Sequence, residues 1–163
     1  HNIRFRPAGV PVHHMRGKAA DILPYLRDGD FDIMFIDGDH SHDGARFDIR
    51  AAKRLVKPGG FICGDDLELQ ASECDPALLQ ANAALDCITI PETGRFCHPG
   101  VTLAVHEEFG EVSAYFGFWI MRKVSDDRFE KVALLDQKPF IPRHFSEEER
   151  TDARKALKDA GVI

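Results

Sequence analysis

The stretch Phe31 to Glu68, FDIMFIDGDHSHDGARFDIRAAKRLVKPGGFICGDDLE, decides the fold. Phe31 to Ile36 is an apolar run of strand length, broken only by Asp32 and ended by Asp37-Gly38-Asp39, as expected of a strand buried in a parallel sheet. From Asp43 the apolar residues Ala45, Phe47, Ile49, Ala52, Leu55 and Val56 recur near the helical period, until Lys57-Pro58-Gly59-Gly60 stops them. Phe61 to Gly64 is a second buried strand, and it too ends in acids, Asp65 and Asp66. Strand, helix and strand at this spacing form a crossover that is nearly always right-handed and makes the two strands parallel. Both carboxyl ends then face the same way.

On the upstream side, Val10 to Met15 is a strand candidate. Ala19 to Leu26 sets Ala19, Ile22, Leu23 and Leu26 on one helical face, with Pro24 weakening that helix. Downstream, the pattern predicts a helix over Pro76 to Leu85 and a loop over Gly94 to Gly100. Val101 to Phe109 fits a helix better than a strand. Val112 to Lys123 and Phe129 to Leu135 read as strands, with Ser125-Asp126-Asp127 turning between them. Ser146 and the three glutamates after it open a helix that runs to Gly161. The chain has no internal repeat and its loop signals fall at short intervals, so residues 1–163 are expected to form one domain.

Composition narrows the functional classes. With 163 residues, 44% of them hydrophobic and 29% charged, the chain can bury one core in water. Its 27 acidic residues outnumber 21 basic ones, and a net charge of -6 offers no footprint for nucleic acid or an anionic membrane. The longest apolar stretch, Tyr115 to Met121, is far short of the roughly 20 residues of a membrane-spanning helix. Cys63, Cys74, Cys87 and Cys97 are spaced by 11, 13 and 10 residues, which suits neither a zinc knuckle nor a redox motif. They read as reduced thiols of a cytoplasmic protein. A homo-oligomer is compatible with the sequence, which does not fix the oligomeric state.

Four carboxylates, Asp37, Asp39, Asp65 and Asp66, follow the two strands, at the sheet edge where open α/β folds bind ligands. Neighbouring strands lie about 4.8 Å apart, so side chains leaving both tips can converge on one small cation. Carboxylates so close need a counter-charge, and a hard divalent ion such as magnesium or calcium supplies it. Any one of these acids alone could be a solvated loop residue or a helix cap; four at paired strand ends make that reading weaker. Trp119, Phe116 and Phe118 are expected in the core rather than along a substrate wall.

The order of a strand ending in IDGDHSH, a helix, KPGG and a strand ending in GDD resembles class I S-adenosylmethionine-dependent methyltransferases. It is most similar to the branch of small-molecule O-methyltransferases acting on sugars, antibiotics and catechols. The resemblance implies a Rossmann-like three-layer α/β sandwich with a mostly parallel sheet, and Asp37, Asp65 and Asp66 as ligands of Mg2+ or Ca2+. The 28 residues from Asp37 to Asp65 are consistent with the family's spacing. Upstream, VPVHHMRGKAADILPYL resembles the family's third strand and its loop, which implies Gly17, Lys18 and Ala19 near the adenine of S-adenosyl-L-methionine, with Asp37 also beside the cofactor. The implied reaction is attack of a small molecule's hydroxyl oxygen on the sulfonium methyl group. The ion lowers the hydroxyl pKa, and Asp39 or His40 takes the proton, ahead of His42.

The glycine-rich turn after the family's first strand and the acid after its second do not occur here, so the resemblance covers roughly the last two thirds of such a domain. The expectation is a partial domain, its first two strands supplied by an N-terminal segment. Without them a gap of roughly 14 Å would leave an unpaired apolar edge. Two other readings compete. Asp39-His40-Ser41-His42 resembles the zinc-binding start of metal-dependent hydrolases, although their barrels need about 250 residues. The third is a non-catalytic binding module on the methyltransferase scaffold.

Overall fold

The computed structural model describes residues 11–133 and 145–159. They fall in two compact units, His1–Val132 and Ala133–Ile163. In the first, strand β1 (Phe31–Ile36) leads through helix α2 (His42–Leu55) to strand β2 (Val56–Leu67). β1 and β2 are parallel, pairing Ile33 with Phe61 and Ile36 with Gly64, as the crossover requires. The sheet then continues antiparallel in the order β1-β2-β6-β5, with β5 at Ser113–Tyr115, β6 at Gly117–Ser125, and β7 (Arg128–Lys131) also paired to β6. Helix α4 (Pro99–Phe109) packs beside α2 on one face.

The core lies between that face and the two helices. Ala45, Ile49 and Ala52 of α2 meet Val101, Ala104 and Val105 of α4 and Ile62, Trp119 and Met121 of the sheet. Met34 and Ile36 pack against this cluster. Alternation therefore turns Ile33 and Phe35 to the opposite face, where they are 55% and 56% exposed. Among the described residues β1 pairs with β2 alone, so it forms the apolar edge that the sequence implies. A second cluster gathers Leu69, Leu79, Ile90 and Cys97 around helix α3 (Pro76–Ala81) and the two-residue strands β3 (Ile88–Thr89) and β4 (Phe96–Cys97).

Several elements differ from the sequence reading for identifiable reasons. Val10 lies outside the described residues, and 11–15 form no strand: they are exposed and lack the ladder partner that would stabilise one. Helix α1 stops at Ala19–Ile22 and passes into a single 3-10 turn at Leu23–Tyr25, because Pro24 has no N–H to continue the helix. β2 begins at Val56, before Phe61: Phe31 pairs with Val56, and Lys57 to Gly60 bulge out before the ladder resumes, with Gly59 at φ 87°. α3 is shorter than expected, and its end is held by Asn82, whose Nδ2 donates to Leu78 O. The expected loop at Gly94–Gly100 contains β4 and the start of α4.

Val112 to Lys123 is two strands. Phe116 and Gly117, with φ of 50° and 86°, make a two-residue turn that pairs Tyr115 with Phe118. Both positive φ values match the tight hairpin turns that agree with sheet twist. β7 ends at Lys131, and Leu135 lies outside the described residues. In the second unit α5 spans Glu147–Asp159, and the expected end at Gly161 is likewise outside them. Ser146 opens α5 with a reciprocal cap: Glu149 N–H donates to Ser146 Oγ, and Ser146 N–H to Glu149 Oε2. No helix among the described residues is long and apolar enough to cross a membrane.

Candidate active site

Ile36 and Gly64 are register partners at the ends of β1 and β2, so Asp37 and Asp65 leave the sheet side by side. The ladder from β2 to β6 slips at this point. Gly64 pairs with Trp119 and Leu67 with Gly117, so Asp65 and Asp66 form a bulge. Asp66 lies at φ 68°, in the left-handed region that a residue with a Cβ seldom adopts. The bulge points the two adjacent acids differently. Asp65 Oδ1 accepts the Asp66 N–H at 3.1 Å and lies on the side of Gly117, where a Cβ would stand 3.2 Å from it. Asp66 Oδ2 lies 3.0 Å from His40 Nε2, and its Oδ1 is 3.8 Å from His98 Nδ1.

The loop after β1 is fixed by helix capping. Gly44 N–H donates to Ser41 Oγ at 3.2 Å, and Ser41 N–H donates to Asp39 Oδ1 at 2.9 Å. Gly44 permits this, since a Cβ there would stand 2.6 Å from Asp39 Cβ. The Ser41 amide holds the Asp39 carboxyl below its ordinary range, which makes it a weak proton acceptor. His40 is turned inward instead. Its Nδ1 lies 2.6 Å from Asp86 Oδ1, and its ring meets His98 edge-on with centroids 4.8 Å apart. Burial alone would lower the His40 pKa, but the Asp86 hydrogen bond and the charges of Asp66, Asp86 and Asp37 raise it overall. Asp66 is pushed upward chiefly by burial, with Asp65 and Glu68 adding to it and His40 and His98 opposing.

One ligand atom each from Asp37, His40 and Asp66 lie within 4.8 Å of one another, as do those of Asp66, Glu68 and His98. His98, only 6% exposed, has Nδ1 at 3.1 Å from both Glu68 carboxylate oxygens. Among the described residues no lysine or arginine pairs with Asp37, Asp65, Asp66 or Glu68; the nitrogens facing them are those of the two imidazoles. Beneath lies a cavity of about 10 Å³ lined by Asp37, Asp39, His40, Asp65, Asp66 and Trp119, roughly room for one water molecule. Trp119 is 1% exposed and its Nε1 has no hydrogen-bond partner among the described residues. A buried donor without a partner costs about 1–3 kcal/mol, so it marks a place where an oxygen is wanted.

The other residues singled out in the sequence lie elsewhere. Gly17, Lys18 and Ala19 stand at the start of α1; Gly17 and Lys18 are exposed. None of the three is linked by a side-chain hydrogen bond or ion pair to the acidic cluster among the described residues. His42 Nε2 is 3.0 Å from Glu107 Oε2, a charge contact without hydrogen-bond alignment, and its Nδ1 is 3.7 Å from Asp43. His40 and His42 therefore serve different neighbours, and the paired zinc ligation of the hydrolase reading has no geometry here. Phe116 is 81% exposed at the β5–β6 turn and Phe118 36% exposed, contrary to a core role, whereas Trp119 is core. Glu68, Asp86 and His98 belong to the cluster and were not visible from spacing. A larger hollow of about 860 Å³ along α2 includes Arg46, Arg50 and Arg54, but each is paired with an acid.

Residues 4–67 match the family model described as "Methyltransferase domain". A catechol O-methyltransferase of Mycobacterium tuberculosis (strain ATCC 25618 / H37Rv) is 30% identical over 116 residues, covering 63% of this chain and 53% of that protein. The chain thus spans about half the length of the curated relative that it matches. No solved structure matches it. With the β1–α2–β2 crossover and its acidic strand ends, the chain is thus similar to a methyltransferase domain over residues 4–67 and to an O-methyltransferase over 116 residues.

Proposed function

We propose that the chain is the acceptor-binding part of an S-adenosylmethionine-dependent methyltransferase that methylates a hydroxyl of a small molecule with the help of a divalent cation. The observation that supports it most is the convergence of Asp37, His40 and Asp66 at the ends of two parallel strands. The donor set suits a cation: acids crowded without lysine or arginine, above a cavity with an unpartnered Trp119 N–H. Asp37 and Asp66 would hold the ion, with Asp65 beside them on the bulge. When bound, it would lower the pKa of an acceptor hydroxyl and fix its oxygen in place. Gly17, Lys18 and Ala19 are assigned to the adenine of S-adenosyl-L-methionine by the family resemblance.

The chain's own contribution is placement. The Asp39 cap holds the loop rigid, so Asp37 and His40 keep fixed positions against Asp66. In the transfer, the acceptor oxygen gains the methyl carbon as the carbon–sulfur bond breaks and the sulfur leaves as a neutral thioether; the hydroxyl's proton passes to solvent water. The test is calorimetry of the protein with S-adenosylmethionine or its demethylated product, followed by transfer of labelled methyl to a panel of vicinal diols with and without a chelator. Cofactor binding and chelator-sensitive transfer are expected. Failure to bind either cofactor form with Mg2+ present overturns the proposal and favours a non-catalytic scaffold; chelator-insensitive transfer overturns the cation.

A further inference from the structure

Resting on that reading of the site, we propose that the tip of the β5–β6 hairpin and the hollow beside it form a subsite for a protonated amine, so that the acceptor carries an alkylammonium group a few bonds from the hydroxyl it presents. Phe116 is the starting point. It stands at φ 50° and is 81% exposed, so one residue bears two costs: a Cβ in left-handed backbone and a large apolar ring left in water. Asn or Gly at this turn position would remove both. Tyr115, 56% exposed, meets the Phe116 ring edge-on, with centroids 4.7 Å apart and planes at 87°. Two rings at right angles offer a face and an adjoining wall to one small group.

The hollow holds about 170 Å³ and is lined by Leu67, Ala114, Tyr115 and Phe116 together with Glu68 and Glu73. No lysine or arginine is among the described residues lining it. Glu73 is matched by Arg95 at 3.0 Å. Glu68 meets the His98 ring, 3.1 Å from both its oxygens, which leaves part of a carboxylate able to accept about four hydrogen bonds; its side chain is 30% exposed. An aromatic face attracts an ammonium ion through the ring quadrupole, and a carboxylate beside it supplies the counter-charge. A neutral apolar group in the same space would desolvate Glu68 without compensation, and an anion would be repelled. Position decides whose amine it is. In the sheet order β1-β2-β6-β5 the tip lies beyond β2 from Asp37, at least two strand spacings or about 10 Å away. Ligand oxygens of Glu68 and Asp66 lie within 4.8 Å of each other, and a Cβ on Gly117 would stand 3.2 Å from Asp65 Oδ1 and 3.8 Å from Glu68 Oε1. The hollow therefore adjoins the acidic cluster on the side away from Asp37, where the far end of a molecule whose hydroxyl reaches Asp66 arrives.

The experiment uses the full chain and tetramethylammonium chloride, without Mg2+ or S-adenosylmethionine, and follows the probe's methyl protons by NMR. Binding on the order of 1–10 mM with an upfield shift from the ring faces is expected, and the similarly shaped but neutral tert-butanol should show neither. Phe116→Leu, which keeps an apolar side chain but no ring, should weaken binding about 3–10-fold, while Phe116→Tyr retains it. Glu68→Gln should weaken it about 3–10-fold, an effect that shrinks as salt is added. No upfield shift with the native chain, equal binding of tert-butanol, or a Phe116→Leu protein that binds like the parent overturns the amine subsite. Neither cation nor cofactor enters the titration, so that result leaves the methyl-transfer reading standing, and failure of methyl transfer leaves the titration unaffected.

Discussion

Replacing Gly100 by alanine tests how tightly the His40 loop is clamped. Gly100 lies in the first turn of α4, and a Cβ there would stand 2.7 Å from Ala83 O and closer still to His40 O and His42 N. All three neighbours are backbone atoms, so no side chain can rotate away and the helix must shift by about 1 Å. Overpacking of this kind costs about 3 kcal/mol, the upper part of the usual range, because backbone on three sides cannot relax. The alanine returns up to about 1 kcal/mol through helix propensity. The net loss is about 2 kcal/mol, or about 4–8 °C in Tm for a domain of this size. Urea and thermal unfolding followed by circular dichroism measure it directly. Propensity alone predicts the opposite sign, so a Gly100→Ala protein as stable as the parent, or more so, refutes the clamp.

Other perturbations probe the helix pair and the acidic cluster. Glu108, 9% exposed in its side chain, accepts from Arg50 at 2.6 Å and Lys53 at 3.0 Å and ties α4 to α2; Glu108→Gln should cost about 1.5–3 kcal/mol near neutral pH in urea titrations. Burial alone would raise the Glu108 carboxyl, but the Arg50 and Lys53 bonds lower it overall. Its contribution is thus complete above the ordinary carboxylate range and disappears as pH falls through the lowered folded value, so the native and Gln proteins should converge in stability in acid. A constant difference down to the acid limit would contradict this. Asp66→Asn should raise the neutral-pH stability of the ion-free protein by about 1 kcal/mol, since it relieves a carboxylate that is disfavoured by burial and by Asp65 and Glu68. It should also abolish cation binding; lower stability in the ion-free variant would show that the histidine contacts dominate. Trp119→Phe should leave ion-free stability within about 1 kcal/mol, the lost packing offset by removal of the unpartnered N–H, while weakening Mg2+ binding in calorimetry.

The crossover was legible because its signals are local and strong. Phe31–Ile36 matches β1 end for end, and α2 begins one residue before Asp43, where Ser41 caps it. The same locality explains the errors. Nothing in an unbroken run from Val112 to Lys123 marks a hairpin except Gly117, and a phenylalanine at φ 50° before it is outside the usual turn vocabulary. Lys57 to Gly60 reads as a stop, yet the chain on either side pairs with β1, because a bulge is set by the partner strand and not by its own residues. In the site, Asp37 and Asp66 could be read from strand ends. Asp86 is 46 residues from His40 in sequence and meets it only after α3 has folded beneath α4. His98 looks like an ordinary helix-entry residue before Pro99, and its burial against Glu68 comes from the packing of α4 on the sheet.

The departures from ordinary folding rules are concentrated where the chemistry is proposed. A carboxylate residue in left-handed backbone, acids pressed together without a lysine or arginine, and an indole N–H without a partner among the described residues all border one cavity of about 10 Å³. Each alone costs on the order of 1–3 kcal/mol and would be removed by a single conservative substitution. A fold held together for stability alone would place Asn or Gly at the bulge and Phe at Trp119. A cation bound there, as proposed, would relieve two of these costs together: it would offset the acids and bring an oxygen to the indole. The strain of Asp66 is then the means by which one strand end serves two faces, sending one carboxylate oxygen toward His40 and the other toward His98.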